Sequence, residues 1–456
     1  MLTNREFHLQ TGNLAYKTGF SFTKRDSWVT KGILGLLFTE MKDSGIEWCG
    51  KIPISWNVMP NKYVMHKKKE ICPKYNGEDI LSLTMDGVIV RDLDAGGKMP
   101  ASFDGYQRVH PHNLLMCLFD YDVTPRCIGL IQNEGLTSPA YSQFVMKNGN
   151  DARYYYYYYL MIDNTKELLH LAKNLRHSFT EDQLGIINTP VPPVEIQKQI
   201  AKYLDQKCED IDAVYVEIEK QIETLEEYKK SIITEAVTKG LDPDVEMKDS
   251  GIEWIGMIPK DWSTIRIGHV FSLRNKRNSL PEDQVQLLSL YTGIGVFPQG
   301  EHVTASGNHA QTVDGYKIVH KNDIVVNIIL AWMGAIGVSD YDGVTSPAYD
   351  IYIPDLSKVV PHYFHYVFRT AGIAGECYKY GRGIMMMRWR TYSQEFKQIF
   401  VPFPSLEKQQ EIAEYLDKKC AEIDGAIEEK KQQLETLEQY KKSVIYEYVT
   451  GKKEVQ

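Results

Sequence analysis

The stretch MKDSGIEW at residues 41–48 recurs without change at residues 247–254. An eight-residue identity at a distance of 206 residues indicates internal duplication, which determines the fold more directly than any single element does. Other landmarks return in the same order: DGY at 104–106 and 314–316, TSPAY at 137–141 and 345–349, and EIQKQIAKYLD at 195–205 as EKQQEIAEYLD at 407–417. We therefore predict a duplicated module rather than a solenoid, which needs short periods and at least three copies.

Each module ends in a long segment with apolar residues at heptad spacing. Residues 195–239 contain neither Gly nor Pro, and the spacing is typical of a coiled coil. The predicted seam consists of Leu204, Ile211, Ile218, Leu225 and Ile232 in the first segment and Leu416, Ile423, Leu437 and Val444 in the second. Two matching seams in one chain favour pairing of the two helices; the alternative is an amphipathic helix packed on its own domain.

The regions between the helical segments indicate mixed α/β (α+β) domains. Short β-rich runs such as LLSLY at 287–291 and YDIYIP at 349–354 are separated by turn residues. An aromatic segment follows in each half, RYYYYYYLMI at 153–162 and HYFHYVFRT at 362–370, and its length predicts a buried helix. Since consecutive helical residues point all round the axis, we expect most of the six tyrosines in the core rather than as stacking platforms for bases.

The composition is that of an ordinary globular chain. With 43% hydrophobic and 25% charged residues, the 456-residue sequence is neither disordered nor collagenous. Its seven cysteines form no CxxC pair, and no apolar run is long enough to cross a membrane. We therefore expect a cytoplasmic protein with free thiols and no metal site. Most of the net charge of -8 lies in the two helical segments, so a nearly neutral domain can still bind a polyanion through a basic patch.

Motifs for catalysis are missing from the sequence. A DNA amino-methyltransferase needs a Pro-Pro-aromatic loop for the flipped base and a glycine-rich turn for its cofactor, and neither is present. We therefore predict that the chain has no catalytic residues. One alternative stays open, a self-contained metal-dependent site-specific nuclease that uses the carboxylates of Asp355 and Glu395 with Lys397.

Basic clusters recur at equivalent places in the two halves. Lys and Arg neutralise phosphates, and Arg, Asn and Gln also make bidentate contacts with base edges. The predicted DNA-binding residues are Lys67, Lys68, Lys69, Gln107 and Arg108 in the first half and Arg274, Asn275, Lys276, Arg277, Lys317, Arg382 and Arg388 in the second. For each residue taken alone, the alternative is a solvated surface charge.

These motifs resemble those of one protein family, the DNA specificity subunits of type I restriction-modification systems. The resemblance covers residues 41–456. It is carried by GIEW, IP and Trp at the start of each half, the run YKIVHKNDI at Tyr316–Ile324, TSPAY, and the helix start P-x-x-E-x-Q-x-x-I-A-x-Y-L-D.

The resemblance implies a division of labour between subunits. Family members have two target-recognition domains that each read one half of a bipartite, asymmetric site in double-stranded DNA. Their two helices pair as an antiparallel coiled coil, set the spacing and dock two modification (methyltransferase) subunits, which restriction/translocase subunits join. For this chain the resemblance implies no bound cofactor, with S-adenosylmethionine, ATP and magnesium on the partner subunits. The implied segments are an extension at 1–40, recognition domains at 41–194 and 241–406, and spacer helices at 195–240 and 407–456.

Two features depart from the family pattern. Residues 1–40 match no part of the module, and we expect complex assembly to survive their removal. In the first half, Asn113 and Leu114 stand where the second half has Asp323 and Ile324, which puts the local turn in question. A third interpretation is a coiled-coil interaction protein without a DNA role, which salt-sensitive DNA binding by the assembled complex would exclude.

Overall fold

A computed structural model describes residues 40–95, 100–172, 177–300, 313–383 and 389–455. The predictions for residues 1–39 and for Arg388 lie outside these ranges. The chain divides into two compact units. Unit 1 contains the described residues up to Asp212 and those from Leu437 onward, and unit 2 is Ala213–Thr436.

Before the first long helix, the described part of unit 1 consists of short strands, short α-helices and a 3-10 helix (Glu167–Leu171). The strands are β1 (Met41–Asp43), β2 (Lys51–Pro53), β3 (Asn57–Pro60), β4 (Met65–Lys68), β5 (Leu81–Thr84), β6 (Gly87–Val90), β7 (Gln107–Val109), β8 (Leu114–Met116), β9 (Ile128–Leu130), β10 (Gly135–Thr137), β11 (Ser142–Met146) and β12 (Asn188–Val191). The helices are α1 (Asn61–Val64), α2 (Ala152–Thr165) and α3 (Glu181–Ile186). The long helix α4 (Val194–Lys239) follows and continues into unit 2.

Unit 2 repeats the order of the strands, with a 3-10 helix (Ile267–His269) at the place of α1. Its strands are β13 (Met247–Asp249), β14 (Met257–Pro259), β15 (Ser263–Arg266), β16 (Phe271–Leu273), β17 (Leu288–Tyr291), β18 (Gly295–Pro298), β19 (Lys317–Val319), β20 (Ile324–Asn327), β21 (Ile336–Val338), β22 (Gly343–Thr345), β23 (Tyr349–Pro354) and β24 (Phe400–Phe403). Its helices are α5 (Pro361–Val367), α6 (Ala371–Tyr380) and α7 (Ser393–Phe396), followed by the long helix α8 (Leu406–Val449), which continues into unit 1.

The sheets of the two units correspond strand by strand. Unit 1 has an antiparallel sheet of order β4-β11-β8-β9, and unit 2 has one of order β16-β23-β20-β21. The registers also agree, because Phe144 lies opposite Leu114 in unit 1 and Tyr352 lies opposite Ile324 in unit 2. The prediction of two similar α+β domains from the sequence repeat is confirmed.

The tyrosine-rich segment forms α2 and lies in the core of unit 1. Asp151 caps the helix by accepting hydrogen bonds from the amides of Arg153 and Tyr154. Tyr154 and Tyr155 are fully buried, so these rings are core residues rather than platforms for bases. Their hydroxyls are satisfied internally, as buried polar groups require: Tyr154 donates to the carbonyl of Val449 at 2.8 Å.

Helix α5 makes the same contacts in unit 2. Tyr363 donates to the carbonyl of Val237 at 3.1 Å, as Tyr154 does to Val449. Tyr366 donates to Asp417 at 2.7 Å, as Tyr157 donates to Asp205 at 2.9 Å. Each of the two tyrosine-bearing helices, α2 and α5, is thereby hydrogen-bonded to both long helices within its own unit.

The long helices pair antiparallel. In unit 1 the first part of α4 meets the last part of α8, with Lys441 Nζ 2.6 Å from Asp212 Oδ1 and the rings of Tyr203 and Tyr448 4.4 Å apart. In unit 2 the opposite ends meet, and Lys229 Nζ lies 2.6 Å from Asp424 Oδ2. Among the predicted seam residues, those buried are Leu204, Ile211, Leu416, Ile423 and Val444, and those half-buried are Ile218, Leu225, Ile232 and Leu437.

Each long helix ends at a glycine with a left-handed backbone, Gly240 at φ +80° and Gly451 at φ +70°. Gly451 lies against Pro53 and Trp56 of unit 1, and Gly240 lies against Trp262 of unit 2. Among the described residues, no helix has the length and apolar character needed to cross a membrane.

Candidate nucleic-acid interface

The first basic cluster begins on β4 and runs into the following loop. Lys67 and Lys68 are half-buried on the strand, and Lys69 is exposed after it. Lys67 Nζ lies 3.8 Å from a carboxylate oxygen of Glu181, and Lys68 Nζ lies 3.4 Å from one of Glu70. At these distances and exposures both ion pairs are weak, so the lysines can exchange a carboxylate for a phosphate at little cost.

Arg108 lies among three carboxylates on the same face of unit 1. Its guanidinium is 2.9 Å from Glu78, 3.5 Å from Glu134 and 3.7 Å from Glu70. His110 Nε2 lies 3.0 Å from Glu70, and hydrogen bonding to His110 lowers the pKa of the Glu70 carboxyl. Backbone amides, first that of Asn76, lower the pKa of Glu78. The Arg108 charge is therefore already compensated, a feature the sequence prediction missed because these acids lie 26 to 38 residues away along the chain.

Gln107 lies inside unit 1 and is fully buried. Its Nε2 donates to the carbonyls of Ser138 at 2.9 Å and Tyr141 at 2.7 Å, and so holds the turn of the TSPAY motif. Because burial keeps its amide away from any base edge, the predicted DNA contact by Gln107 is withdrawn.

The matching cluster of unit 2 is divided between ion-paired and exposed residues. Arg274 makes a bidentate pair with Asp323, with Nε at 2.9 Å and Nη2 at 2.8 Å, and Lys317 Nζ lies 2.8 Å from Asp350. The side chains of these pairs are between 2% and 16% exposed. Both ion pairs therefore stabilise the folded unit, and neither cation is free to contact DNA. Asp323 and Asp350 become the partners of Arg274 and Lys317 only in the folded unit, because they lie 49 and 33 residues away along the chain.

The exposed part of this cluster is the loop of Asn275, Lys276 and Arg277. Arg277 donates from Nη1 to the carbonyl of Gly315 at 2.9 Å and keeps the rest of its guanidinium at the surface. Among the described residues, these three are predicted DNA contacts exposed to solvent, as are Lys69 in unit 1 and Arg382 after α6.

A third cluster lies after α6. Arg382 is 69% exposed and pairs with Glu395, and its backbone forms two hydrogen bonds of 2.9 Å with Arg390. Beside these arginines, the ring of Trp389 stacks on that of Tyr378, with centroids 5.1 Å apart and planes at 22°. The aromatic pair was missed from sequence, although the run Arg-Trp-Arg at 388–390 was its signal.

The acids of the alternative nuclease have separate partners. Asp355 is bonded to Lys358 at 2.7 Å, which together with Ser357 lowers the pKa of its carboxyl to about 2. Glu395 is paired with Arg382, and Lys397 packs against Gly268. In the described part of the chain, no group of three or more His, Cys, Asp and Glu side chains is arranged to hold a metal ion.

Known proteins similar to this chain share one description. The family model for the type I restriction modification DNA specificity domain matches residues 130–226 and 259–438, more than half of the chain. Two Methanocaldococcus jannaschii proteins that carry the names of type I restriction enzyme specificity subunits, MjaX and MjaVIII, are 30% and 29% identical over 288 and 280 residues. These alignments cover 60% and 58% of this chain and 61% and 62% of theirs, so the chain spans under two thirds of either relative.

Solved structures show the same fold. A chain from a study of complex assembly and conformational transition of the type I R-M system superposes with a TM-score of 0.64 at 12% identity, covering 87% of this chain and 98% of its own. The HsdS subunit from Thermoanaerobacter tengcongensis superposes with a TM-score of 0.50 at 13% identity, covering 88% and 98%. With the family match, the repeated sheets and the paired helices all in agreement, the chain belongs to the family of type I restriction-modification DNA specificity subunits.

Proposed function

We propose that this chain is the non-catalytic, sequence-reading subunit of a cytoplasmic type I restriction-modification complex, and that its two units read the two different halves of a bipartite DNA site. One observation carries the proposal: the two scaffolds match, whereas the residues exposed on them differ. Specific binding of this kind needs base contacts that differ between half-sites and a frame that positions them.

The difference is clearest in the loop between matching anchor points. Cys72 donates its amide to the carbonyl of Tyr106 at 2.7 Å, and Asn278 donates to that of Tyr316 at the same distance. Just before these anchors, unit 1 exposes Lys69, Glu70 and Ile71, whereas unit 2 exposes Asn275, Lys276 and Arg277. One frame thus presents two different sets of donors, acceptors and apolar atoms, which supports an asymmetric site.

The acidic long helices suit proteins better than phosphates as partners. We assign to α4 and α8 the docking of two modification subunits, which restriction/translocase subunits then join. S-adenosylmethionine, ATP and magnesium belong to those partners in this proposal. The recognition domains are assigned to residues 41–194 and 241–406, and the spacer helices to 195–240 and 407–456.

The test is modification-sensitive sequencing of DNA from a methylation-free host that carries this chain with its methyltransferase subunit. We expect a methylated motif in two halves around a fixed gap, absent when the methyltransferase subunit is expressed alone. Exchanging Asn275, Lys276 and Arg277 for Lys, Glu and Ile should then alter one half of the motif and leave the other unchanged. Lys260→Glu, a charge reversal on an exposed lysine elsewhere in unit 2, is the control. Assembly of the complex without any new motif would overturn the proposal.

A further inference from the structure

Unit 2 carries an exposed surface on which aromatic rings and arginines lie together. We define the aromatic–arginine patch as Trp332, Tyr378, Arg382, Trp389 and Arg390. Tyr378 is 47% exposed, and the neighbouring Met333 is 54% exposed. A cluster of exposed apolar side chains beside exposed arginines indicates a binding surface rather than a solvated face.

The aromatic part of the patch is held together by ring contacts and a hydrogen bond. Trp389 stacks on Tyr378 and donates its indole N–H to the carbonyl of Tyr378 at 3.0 Å, while Trp332 lies 6.0 Å from Tyr378, centroid to centroid. Gly381 permits this stack, because a Cβ at that position would lie 2.3 Å from the indole nitrogen of Trp389. Rings fixed in this way offer contact area at a low entropic cost of binding.

The two arginines carry like charges on facing backbone segments. Arg382 and Arg390 form a one-residue antiparallel bridge with both backbone hydrogen bonds at 2.9 Å. Like charges directly opposite each other are destabilising unless an anion lies between them. Within the described part of the chain, Arg382 has one carboxylate partner, Glu395, and Arg390 has none within 4.0 Å. Because Glu395 compensates Arg382, Arg390 is the charge in the patch that a phosphate can pair with.

Unit 1 does not repeat the patch. The amide of Phe179 donates to the carbonyl of Leu118 at 2.7 Å, as that of Thr391 donates to Ile328 at 2.9 Å, so the two loops are equivalent. At the places of Trp332 and Trp389, unit 1 has Asp122 and His177, whose Oδ2 and Nδ1 lie 2.9 Å apart. The patch therefore distinguishes unit 2 from unit 1, as a half-site reader requires.

From this arrangement we propose that the aromatic–arginine patch contacts duplex DNA, with Arg390 on a phosphate and the Trp389–Tyr378 stack against base edges or sugars of the half-site read by unit 2. The inference rests on the proposed function and adds the contact surface to it. Charge complementarity favours DNA over a protein partner, since phosphate oxygens pair with both arginines and the apolar ring edges fit thymine methyl groups.

The experiment measures binding of a duplex carrying the methylated motif by the assembled complex of this chain with its modification subunits. Trp389→Ala should weaken specific binding about tenfold, and Trp389→Phe should restore most of it. Gly381→Ala should act like Trp389→Ala, since the new methyl group displaces the indole. Arg390→Gln should weaken specific and non-specific binding alike and reduce the slope of log K against log salt by about one. Arg266→Gln, at an exposed arginine on β15, should leave binding unchanged.

The outcomes separate this inference from the proposed function. Failure of the unaltered complex to bind or methylate any bipartite site overturns the proposed function. A functional complex whose affinity and motif survive both Trp389→Ala and Arg390→Gln overturns the inference alone. Loss of subunit assembly in these variants, but not in Arg266→Gln, also overturns it and identifies a protein-facing surface. Should Trp389→Ala fail to fold, the salt slope of Arg390→Gln decides the matter.

Discussion

The turn before β8 in unit 1 and the turn before β20 in unit 2 have the same backbone but different chemistry. His112 and Asn322 occupy the same left-handed position, with φ values of 64° and 73°. In unit 1 the amide of His110 donates to Gln143 Oε1 at 2.8 Å, whereas in unit 2 the amide of His320 donates to Asp323 Oδ2 at 2.7 Å. Unit 1 has Asn113 at the position of Asp323, yet the turn keeps the same backbone. The side-chain amide of Gln143, on the neighbouring strand β11, accepts the hydrogen bond that Asp323 accepts in unit 2.

This comparison shows how a duplicated fold tolerates divergence. Main-chain geometry is preserved, while a buried ion pair in one unit corresponds to a neutral hydrogen-bond network in the other. Buried charges and neutral amides respond differently to loss of a partner, since an unpaired charge costs far more than an unpaired amide. We therefore expect mutations to change the stabilities of the two units most unequally where an ion pair in unit 2 corresponds to neutral hydrogen bonds in unit 1.

The largest expected difference is at these two turns. Asp323→Ala leaves the Arg274 charge largely buried and should destabilise unit 2 by about 3–5 kcal/mol. Gln143→Ala removes only neutral hydrogen bonds and should cost unit 1 about 1–3 kcal/mol. Amide hydrogen exchange of β20 and β8 measures each effect within its own unit. As a control, replacing Arg274 by Met and Asp323 by Leu together should cost less than Asp323→Ala alone; equal costs would contradict the ion-pair interpretation.

The next difference concerns the glycines that end the long helices. Ala at either position has the strain of a left-handed backbone. At Gly451 its Cβ would also lie only 2.5 Å from Pro53 Cδ, whereas at Gly240 the nearest atom, on Trp262, would be 3.2 Å away. Gly451→Ala should therefore cost about 3 kcal/mol and Gly240→Ala about 1–2 kcal/mol. Chemical denaturation, with amide hydrogen exchange in each unit as the readout, measures the loss of stability in both variants. Similar losses would show that strain alone, and not the contact with Pro53, determines the cost.

A pH-dependent difference comes from α5. Burial, with smaller contributions from Arg369, His362 and Lys229, lowers the pKa of His365 to about 3. The unfolded chain binds this proton first, near pH 6.5, so the stability of unit 2 falls as the pH drops from about 6.5 towards 3. The loss at pH 5 should be about 2 kcal/mol.

The equivalent position in unit 1 is Tyr156, which carries no acid-range titration. His365→Tyr should therefore flatten the stability of unit 2 between pH 7 and pH 5, as measured by urea denaturation at each pH. Tyr156→Phe in unit 1 is the control and should not change the pH dependence. An unchanged slope in His365→Tyr would assign the acid sensitivity to other groups.

The smallest effect is expected at the left-handed turn residue itself. Asn tolerates positive φ better than His, so His112→Asn should stabilise unit 1 by about 0.5 kcal/mol. The reverse change, Asn322→His, should destabilise unit 2 by a similar amount. Thermal unfolding of the two variants tests the pair, and a change of the same sign in both would show that contacts other than the backbone angle decide.

Much of the fold was predictable from sequence because repetition and periodicity lie along the chain. The duplicated landmarks predicted two equivalent domains, and the heptads predicted two long helices that pair. The buried tyrosines followed from helical geometry, since six consecutive side chains cannot all face one ligand. Each of these inferences depends on residues close together in sequence or on identity between the halves.

The candidate interface was predicted less well. Lys69 and Lys276 are exposed as expected, but Gln107 is buried, and Lys317 is paired with Asp350. These outcomes depend on contacts between residues that are 31 to 34 positions apart in the sequence, which no local pattern records.

The sequence by itself determined the duplication, the helical segments and the family. Only the tertiary structure decided which polar side chains face solvent and which serve the interior, because burial and charge pairing are set by neighbours brought together in folding. The same packing placed Trp389 on Tyr378 beside two facing arginines. A run of residues that is unremarkable in sequence thereby became a candidate DNA-contact surface.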